Sequence, residues 1–335
     1  MKFSETGLYN FVMNKDKKPE PNCCVPTAPD RKNSSPSPVF ESKKQMDSSS
    51  LVYIPGGSFL MGTNDNDGFP QDGEGPVRNT VVDSFYISKI AVTNLQFEEF
   101  IQDTGYVTEA EKFGWSYVFH LFLDPDEREK FKSPFGTPWW KAVEGARWCN
   151  PEGPRSDLSG RETHPVVHIS WNDAMAWCHW AGTRLPTEAE WEKAARGGLK
   201  QKKFVWGDEF IQDGRHHCNI WHGDFPNLNT EVNGFIGTAP SDLFPANGYG
   251  LKNMSGNVWE WCADWFSPFY PMLRVSDNPS GPGNGEARVI RGGSYLCHHS
   301  YCNRYRVAAR TANTPDSSTG NMGFRVALNA DSDNH

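Results

Sequence analysis

Two cysteines lie close together in the part of the chain that is richest in reactive side chains, residues 291–306. Four residues separate Cys297 from Cys302, and two of those four are His298 and His299. Two thiolates at short range without a second pair suit a soft ion that accepts two ligands. Copper(I) is such an ion, whereas zinc takes four ligands. The spacing therefore indicates a candidate metal site, and it leaves open the alternatives of a disulfide or two unrelated core thiols.

Three helices are predicted from their start and stop signals, and they supply most of the regular structure ahead of residue 200. Each begins with a Ser or Thr followed three positions later by a side chain that can return the hydrogen bond, and each ends at a glycine. The start pairs are Thr93 with Gln96, Ser170 with Asp173 and Thr187 with Glu190, and the glycines are Gly105, Gly182 and Gly197.

Strands are predicted at residues 52–57 and 80–88, where β-branched and aromatic residues cluster. From about residue 200 onward no long helical period occurs, which predicts loops and short strands. The 31 glycines and 24 prolines favour many turns, and the 13 tryptophans can build a core between loops. Because strand and helix signals mix without βαβ regularity, the sequence predicts an α+β fold.

Residues 1–50 differ from the rest of the chain in composition. Their Ser- and Pro-rich stretches predict a disordered polar leader, and the ordered domain is expected over residues 51–330. Cys23 and Cys24 fall within the leader, and we interpret them as incidental thiols of a mobile tail.

Composition argues against nucleic acid and membranes as partners. The net charge is −8 with no block of Lys or Arg, whereas phosphate binding needs clustered cations. No apolar run approaches the roughly 20 residues of a membrane span, and the first residues lack the apolar stretch of a secretory signal. The eight cysteines are irregularly spaced and contain no Cys-x-x-Cys pair, which favours reduced thiols in a cytoplasm.

Longer motifs surround the cysteine pair. Residues 292–306 read Gly-Gly-Ser-Tyr-x-Cys-His-x-Ser-Tyr-Cys-x-Arg-Tyr-Arg, and residues 313–318 read Asn-Thr-Pro-Asp-Ser-Ser. Further segments are GGSFLMG at 56–62, HPVVHISWNDA at 164–174, RLPTEAEWE at 184–192, NGYGL at 247–251, GNVWEW at 256–261 and GFRV at 323–326. With these motifs the chain resembles the formylglycine-generating enzymes, the sulfatase-modifying factor family, over residues 51–328. The first two motifs are typical of its active members.

The resemblance implies an irregular, loop-rich α+β domain related to C-type lectins. It also implies an oxidase that uses molecular oxygen to convert a client cysteine into formylglycine. Cys297 and Cys302 would hold copper(I), and the client cysteine would enter as a third thiolate. Ser294 would help to hold oxygen or the client thiol, and Trp259 would wall the oxygen pocket. A plain core role is the alternative for Trp259.

The client implied by the resemblance is a Cys-x-Pro-x-Arg motif in a nascent or unfolded sulfatase, since a folded sulfatase would hide its cysteine. Its predicted groove residues are His298, Tyr301, Phe244, Trp139 and Trp140. The client arginine is expected near Trp115 and Ser116. Some relatives carry an acid at the position of Trp115, and a tryptophan can instead stack on the guanidinium.

Two structural calcium sites are also implied by the resemblance, because calcium takes several oxygen ligands that include backbone carbonyls. The first comprises Asn219, Ile220, Asn233 and Phe235, and the second comprises Asn253, Gly256, Val258 and Glu260. Asn233 replaces an aspartate of known relatives, which should weaken the first site. Ordinary turn-forming asparagines are the alternative.

Secreted relatives carry two core disulfides, and Cys178 is the one cysteine at those four positions here. The other three positions are Ala195, Val307 and Val326, which again favours a reducing compartment.

Two other functions are alternatives to the oxidase. A non-catalytic, lectin-like sulfatase-binding scaffold would not need the cysteine pair. An iron-dependent sulfoxide synthase of the same superfamily would need a His-rich triad, usually on an added helical domain, and no such domain is visible.

Overall fold

Short helices and short strands joined by long loops form the α+β fold expected from the sequence. The computed structural model describes residues 24–28, 46–212, 214–270 and 277–330. The helices are α1 Asn94–Thr104, α2 Glu109–Phe113, α3 Trp171–Trp180 and α4 Glu188–Arg196, with 3-10 turns at Ser48–Ser50, Pro70–Asp72, His120–Phe122 and Arg128–Lys130. The strands are β1 Leu51–Ile54, β2 Gly57–Met61, β3 Arg78–Val82, β4 Phe85–Ser88, β5 Trp115–Phe119, β6 Trp140–Glu144, β7 Ile211–Gln212, β8 Arg215–His216, β9 Gly223–Asp224, β10 Leu228–Asn229, β11 Trp259–Trp265, β12 Arg288–Arg291, β13 Arg310–Asn313, β14 Met322–Gly323 and β15 Ala327–Asn329.

All three predicted helices are confirmed, and each begins with a complete capping box. The side chains of Thr93, Ser170 and Thr187 accept from the backbone N–H three residues on, which satisfies a donor that the helix itself cannot. The short helix α2 was not predicted, although it too begins with a capping box at Thr108. Its five residues are too few to show a helical period.

Two sheets carry most of the strand pairing. One has the order β1-β4-β15 and joins the start of the domain to its end, and the other has the order β13-β12-β11-β14. The remaining strands form two-stranded pairs. The strand predicted at residues 80–88 is two strands, β3 and β4, because the chain turns at Asp83 and Ser84 and pairs with different partners on either side.

Residues 24–28 contradict the prediction of a leader that buries nothing. Cys24, Val25 and Ala28 are each no more than 3% exposed. Cys24 and Val25 pack in the main hydrophobic core, and Ala28 packs in an aromatic cluster. The remainder of the predicted leader up to residue 45, with Cys23, lies outside the described residues. The interpretation of Cys24 as an incidental thiol of a mobile tail is therefore wrong, since nearly its whole surface is covered.

Reduced cysteines account for every cysteine that the structure describes. Cys178 is a fully buried thiol on α3, as predicted. Within the described ranges, no helix combines the length and the apolar character needed to cross a membrane.

Buried ion pairs replace much of the regular hydrogen bonding that a loop-rich chain lacks. Arg291 and Arg310 both donate to the Glu188 carboxylate, and Arg291 also pairs with Glu192 at 2.6 Å. Although burial alone would raise the pKa of Glu188, the two positively charged guanidinium groups hold it below its usual value. Both guanidinium groups are therefore neutralised inside the core, where an unpaired charge would be very costly.

We predict that Glu188→Gln lowers the free energy of unfolding by about 3–5 kcal/mol, because it leaves two buried guanidinium groups short of one negative charge. Urea unfolding monitored by tryptophan fluorescence measures this loss. Asp208→Asn serves as the control, since its pair with Lys202 is about half exposed and should contribute less than about 1 kcal/mol. Equal stability of the two variants would contradict the importance of the buried network.

Candidate active site

A tight double-glycine turn begins the loop that carries the two cysteines. Strand β12 ends at Arg291, and Gly292 and Gly293 follow with φ of 94° and 74°, a backbone conformation that favours glycine. A Cβ on Gly293 would lie 2.8 Å from the carbonyl oxygen of Arg304, so the two ends of the loop approach too closely for any side chain. The cysteines are thus held on a loop that folds back against its own start.

Three thiols meet in this loop. The Sγ atoms of Cys297, Cys302 and Cys24 all lie within 4.8 Å of one another, and all three residues are buried. The predicted proximity of Cys297 and Cys302 is confirmed, and both are thiols in this structure. Cys24 joins them from a segment that was expected to be mobile.

Electrostatics separate the two cysteines of the loop. Burial alone would raise the pKa of Cys302, but hydrogen bonds from the Cys24 and Cys297 thiols and the charge of Arg304 outweigh it and hold the pKa well below its usual value. Burial raises the pKa of Cys297 well above the usual range. Of the two loop cysteines, Cys302 is therefore the one whose surroundings favour the thiolate, and those of Cys297 favour the thiol.

Ser294 and Trp259 belong to the same site. The Ser294 N–H donates to Cys297 Sγ at 3.3 Å, and Asn321 Nδ2 donates to Ser294 Oγ at 2.9 Å. Trp259 is fully buried in the hydrophobic core that also contains the three thiols, and its backbone N–H donates to the carbonyl of Asn321. These contacts place both residues beside the thiol cluster, and they add Asn321 as an unpredicted connection between them.

Aromatic residues pack beside the cysteine loop. Tyr301 stacks on Phe225 at 4.4 Å between ring centroids and meets the edge of Trp139 at 5.1 Å. Trp140 is fully buried and lies against Phe119 in the same aromatic cluster. This arrangement brings three of the five predicted groove residues together.

The other two predicted groove residues lie apart from that packing. His298 is hydrogen-bonded to Ser300 at 2.8 Å, and partial burial lowers its pKa to about 4, so it is neutral near pH 7. Phe244 is buried, and in the described ranges it belongs to none of the hydrophobic clusters that hold the thiols or the aromatic rings.

The residues predicted for the client arginine flank the aromatic cluster. Trp115 meets the edge of Tyr117 at 4.9 Å. Ser116 is fully buried, with its Oγ 2.8 Å from His168 Nδ1 and 2.8 Å from Ser318 Oγ. Ala28 packs in this same cluster, so residues 24–28 run from the thiols to the position predicted for the arginine.

The candidate calcium residues lie on adjoining turns, because Asn219 forms an isolated bridge with Gly256. The Oδ1 atoms of Asn219 and Asn253 are buried and have no hydrogen-bond partner among the residues described. The carboxylate of Glu260, in contrast, is bound by Arg325 at 2.6 Å and 2.7 Å. The side chain of Asn233 donates to the carbonyl of Cys218.

The three thiols are buried, and Val25 is buried with them in the same core. A cavity of about 340 Å³ opens beside Tyr295, His168 and Phe235, and none of the three thiols lines it.

Sequence reasoning missed Cys24 because its surroundings in the chain are polar. One signal was present, since Cys24-Val25-Pro26 repeats the Cys-x-Pro spacing of the expected client motif.

A family model described as "Sulfatase-modifying factor enzyme 1-like domain" matches residues 36–330. A formylglycine-generating enzyme from Streptomyces coelicolor is 57% identical over 280 residues, which are 84% of this chain and 89% of that protein. The chain belongs to the formylglycine-generating enzyme family. The enzyme of that name from Mus musculus is 53% identical over 278 residues, which cover 83% of this chain and 74% of the mouse protein.

The family's fold extends to more distant solved structures. PvdO from Pseudomonas aeruginosa superimposes with a TM-score of 0.62 at 23% identity, covering 89% of this chain and all of PvdO. At that identity the likeness concerns the fold alone. It confirms the irregular α+β architecture, and the activity of the formylglycine-generating enzyme family rests on the much higher identity of the two sequence relatives.

The lowered pKa of Cys302 leads to a prediction for the metal-free protein. Its thiolate ultraviolet absorbance should be present at neutral pH and disappear only on acidification, because Cys302 is ionised well below the usual thiol pKa of about 8.5. Cys302→Ser should remove this signal. Cys178→Ser is the control and should leave it intact, because burial raises the pKa of Cys178 to about 12. A signal that survives in Cys302→Ser would place the thiolate elsewhere.

Proposed function

We propose that the protein is a copper-dependent oxidase that converts the cysteine of a Cys-x-Pro-x-Arg motif in sulfatases into formylglycine with molecular oxygen. The observation that carries the copper assignment is the buried pair of Cys297 and Cys302, whose Sγ atoms lie within 4.8 Å of each other and of a third sulfur, Cys24 Sγ. Soft thiolate ligands in low number favour copper(I) over zinc or hard cations.

The donor set fits copper(I), since all candidate ligands are sulfur and all are buried from competing water. Bound there, copper supplies redox chemistry with oxygen that cysteine side chains alone do not provide. Overall, O2 would accept two hydrogens from the client cysteine and two from external thiols, which leave as a disulfide, and would be reduced to two waters. Water then replaces the sulfur of the oxidised cysteine, leaving the aldehyde and hydrogen sulfide.

The protein's own residues hold the reactants for this reaction. The Ser294 hydroxyl is fixed by Asn321, so it can donate its proton to the client thiol or to oxygen at the cluster. Trp259 fills the core next to the thiols and excludes water. Arg304 supplies positive charge that favours thiolates at this place.

A client must be extended to bring its cysteine to the position where Cys24 Sγ lies, because the surrounding surface is buried. The path along residues 24–28 leads from there to the aromatic cluster beside Trp115 and Ser116. A client arginine four residues after the cysteine would reach that cluster and stack on aromatic rings. Nascent or unfolded sulfatase chains meet this requirement, since unfolding a native sulfatase would cost several kcal/mol.

Calcium at the Asn219 and Asn253 turns is supported by their buried, unpartnered amide oxygens within the described structure. Backbone carbonyls of Ile220, Gly256 and Val258, with Phe235 at the first site, would complete an oxygen set. Glu260, which lies on β11 two residues after Val258 and is paired with Arg325, would add a carboxylate oxygen to the second site. The described cysteines are all thiols, which supports a reducing compartment such as the cytoplasm.

The copper assignment predicts that Cys297→Ser and Cys302→Ser each abolish high-affinity copper(I) binding and formylglycine formation, because a hydroxyl is a poor ligand for a soft ion. Competition with a copper(I) chelator measures the affinity, and mass spectrometry of a Cys-x-Pro-x-Arg peptide measures turnover. Cys218→Ser is the control, since it removes another buried thiol that is not part of the cluster. Wild-type turnover by either loop variant would refute the assignment.

The client assignment predicts that replacing the proline or the arginine of the peptide by alanine lowers kcat/KM by roughly tenfold, equivalent to one or two kcal/mol of binding. The proline brings a rigid ring that loses little entropy, and the arginine gains contacts with the aromatic cluster. Steady-state rates for the three peptides measure both effects. If only the arginine change is silent, Trp115 does not bind the guanidinium and the proline contact stands.

A further inference from the structure

Residues 24–28 read Cys-Val-Pro-Thr-Ala, and Cys24 and Val25 pack in the same core as the two cysteines of the loop. They match the proposed client motif at the cysteine and at the proline two positions later, and they differ where the motif has arginine, since that position is Ala28. Nothing in the family assignment concerns these residues, because the matched family model begins at residue 36.

The backbone of this segment is hydrogen-bonded by side chains at the end of strand β13 and in the loop that follows it. Asn321 Nδ2 donates to the carbonyl of Cys24 at 3.1 Å. Asn313 Nδ2 donates to the carbonyl of Pro26 at 3.3 Å, and the Ala28 N–H donates to Ser317 Oγ at 3.0 Å. These are contacts to main-chain atoms, so any extended peptide of the same course can make them whatever its sequence.

The side chains of the segment occupy specific places. The Cys24 thiol hydrogen-bonds within the cluster of Cys297 and Cys302, and Arg304 Nη1 donates to its sulfur at 3.4 Å. Val25 is fully buried in the core, and Ala28 packs in the aromatic cluster. The thiol therefore takes the position that the proposed function gives to the client cysteine.

We propose that residues 24–28 are a built-in occupant of the client groove, which sets the Cys24 thiol against the metal-binding pair and excludes clients from the resting enzyme. The inference rests on the proposed function, because it identifies the groove with the client site. The occupant competes with clients rather than acting as one, since Ala28 offers no cation for the arginine position.

Covalent attachment makes this competition strong even though the contacts are few. A tethered segment has an effective concentration on the order of millimolar, so it fills the groove without being tight by itself. A client displaces it by adding what Ala28 lacks, the stacking and charge-assisted contacts of an arginine. If the groove is open in about a tenth of the molecules, clients bind about tenfold more weakly than they would to an empty groove.

The occupancy can be tested without metal or turnover. The probe is the synthetic peptide ASAPARA, in which serine replaces the reactive cysteine, and the control peptide is ASAAAAA. Metal-free protein is treated with iodoacetamide, and alkylation of Cys24 is followed site by site with mass spectrometry. Without peptide, we expect slow alkylation of Cys24. ASAPARA should accelerate this alkylation at least about fivefold, and ASAAAAA should not accelerate it.

A second measurement separates this inference from the proposed function. Binding of ASAPARA is measured to the Cys24→Ala variant, with Cys149→Ala as the control, since Cys149 is a half-buried thiol outside the cluster. We expect about tenfold tighter binding to Cys24→Ala than to the control, and with a Cys-x-Pro-x-Arg peptide a lower KM at unchanged kcat.

Each other outcome is decisive. If ASAPARA binds Cys24→Ala but never exposes Cys24 in the wild type, the occupant is not in the client groove and this inference alone fails. If ASAPARA binds neither variant, the proposed client site is wrong and the inference falls with it. If Cys24→Ala loses activity or copper binding, Cys24 is a required ligand and not a competitor. Conversion of Cys24 itself to formylglycine would likewise make the segment a substrate and overturn its role as an inhibitor.

Discussion

Buried arginine–carboxylate pairs are the interactions on which the rest of this structure depends. Four arginines on the chain between β12 and β13 pair with buried acids elsewhere: Arg291 and Arg310 with Glu188, Arg304 with Asp72, and Arg306 with Glu74. The loop between them carries both candidate metal-binding cysteines and has little regular hydrogen bonding. Charged, mostly bidentate contacts fix direction as well as distance, so they give an irregular loop the rigidity that a strand or helix would have from its backbone.

The same arginines shape the chemistry of the thiols. Arg304 pairs with Asp72 at 2.6 Å, yet it also reaches the thiol cluster and helps to lower the pKa of Cys302. A guanidinium that is paired with a carboxylate attracts a thiolate less strongly than an unpaired guanidinium does. It also repels a cation at the sulfur atoms less strongly. Arg304 therefore both stabilises the loop and influences the thiols. A substitution of Asp72 would change the pKa of Cys302 through Arg304, without any contact between Asp72 and sulfur.

Local signals in the sequence predicted local structure well, and long-range contacts escaped it. The capping boxes at Thr93, Ser170 and Thr187 predict their helices because both partners lie within one turn. The cysteine pair needed the family resemblance, since its spacing alone also fits a disulfide. Burial of Cys24 could not be predicted, because the average composition of residues 1–50 hides one apolar stretch whose partner Asn321 lies 297 positions away. The buried ion pairs were not predicted either, because burial of arginines is the exception.

The sheet β1-β4-β15 has a consequence for how the protein is made. Its third strand, Ala327–Asn329, pairs with Phe85–Ile87 of β4, and Ala327 also bridges to Arg184. The first sheet therefore lacks one of its edge strands until residues 327–329 have been synthesised. The domain therefore cannot complete its fold while the chain is still being translated, in contrast to chains whose first half folds alone. Such dependence on distant pairing slows folding and leaves hydrophobic surface exposed during synthesis, when chaperones act.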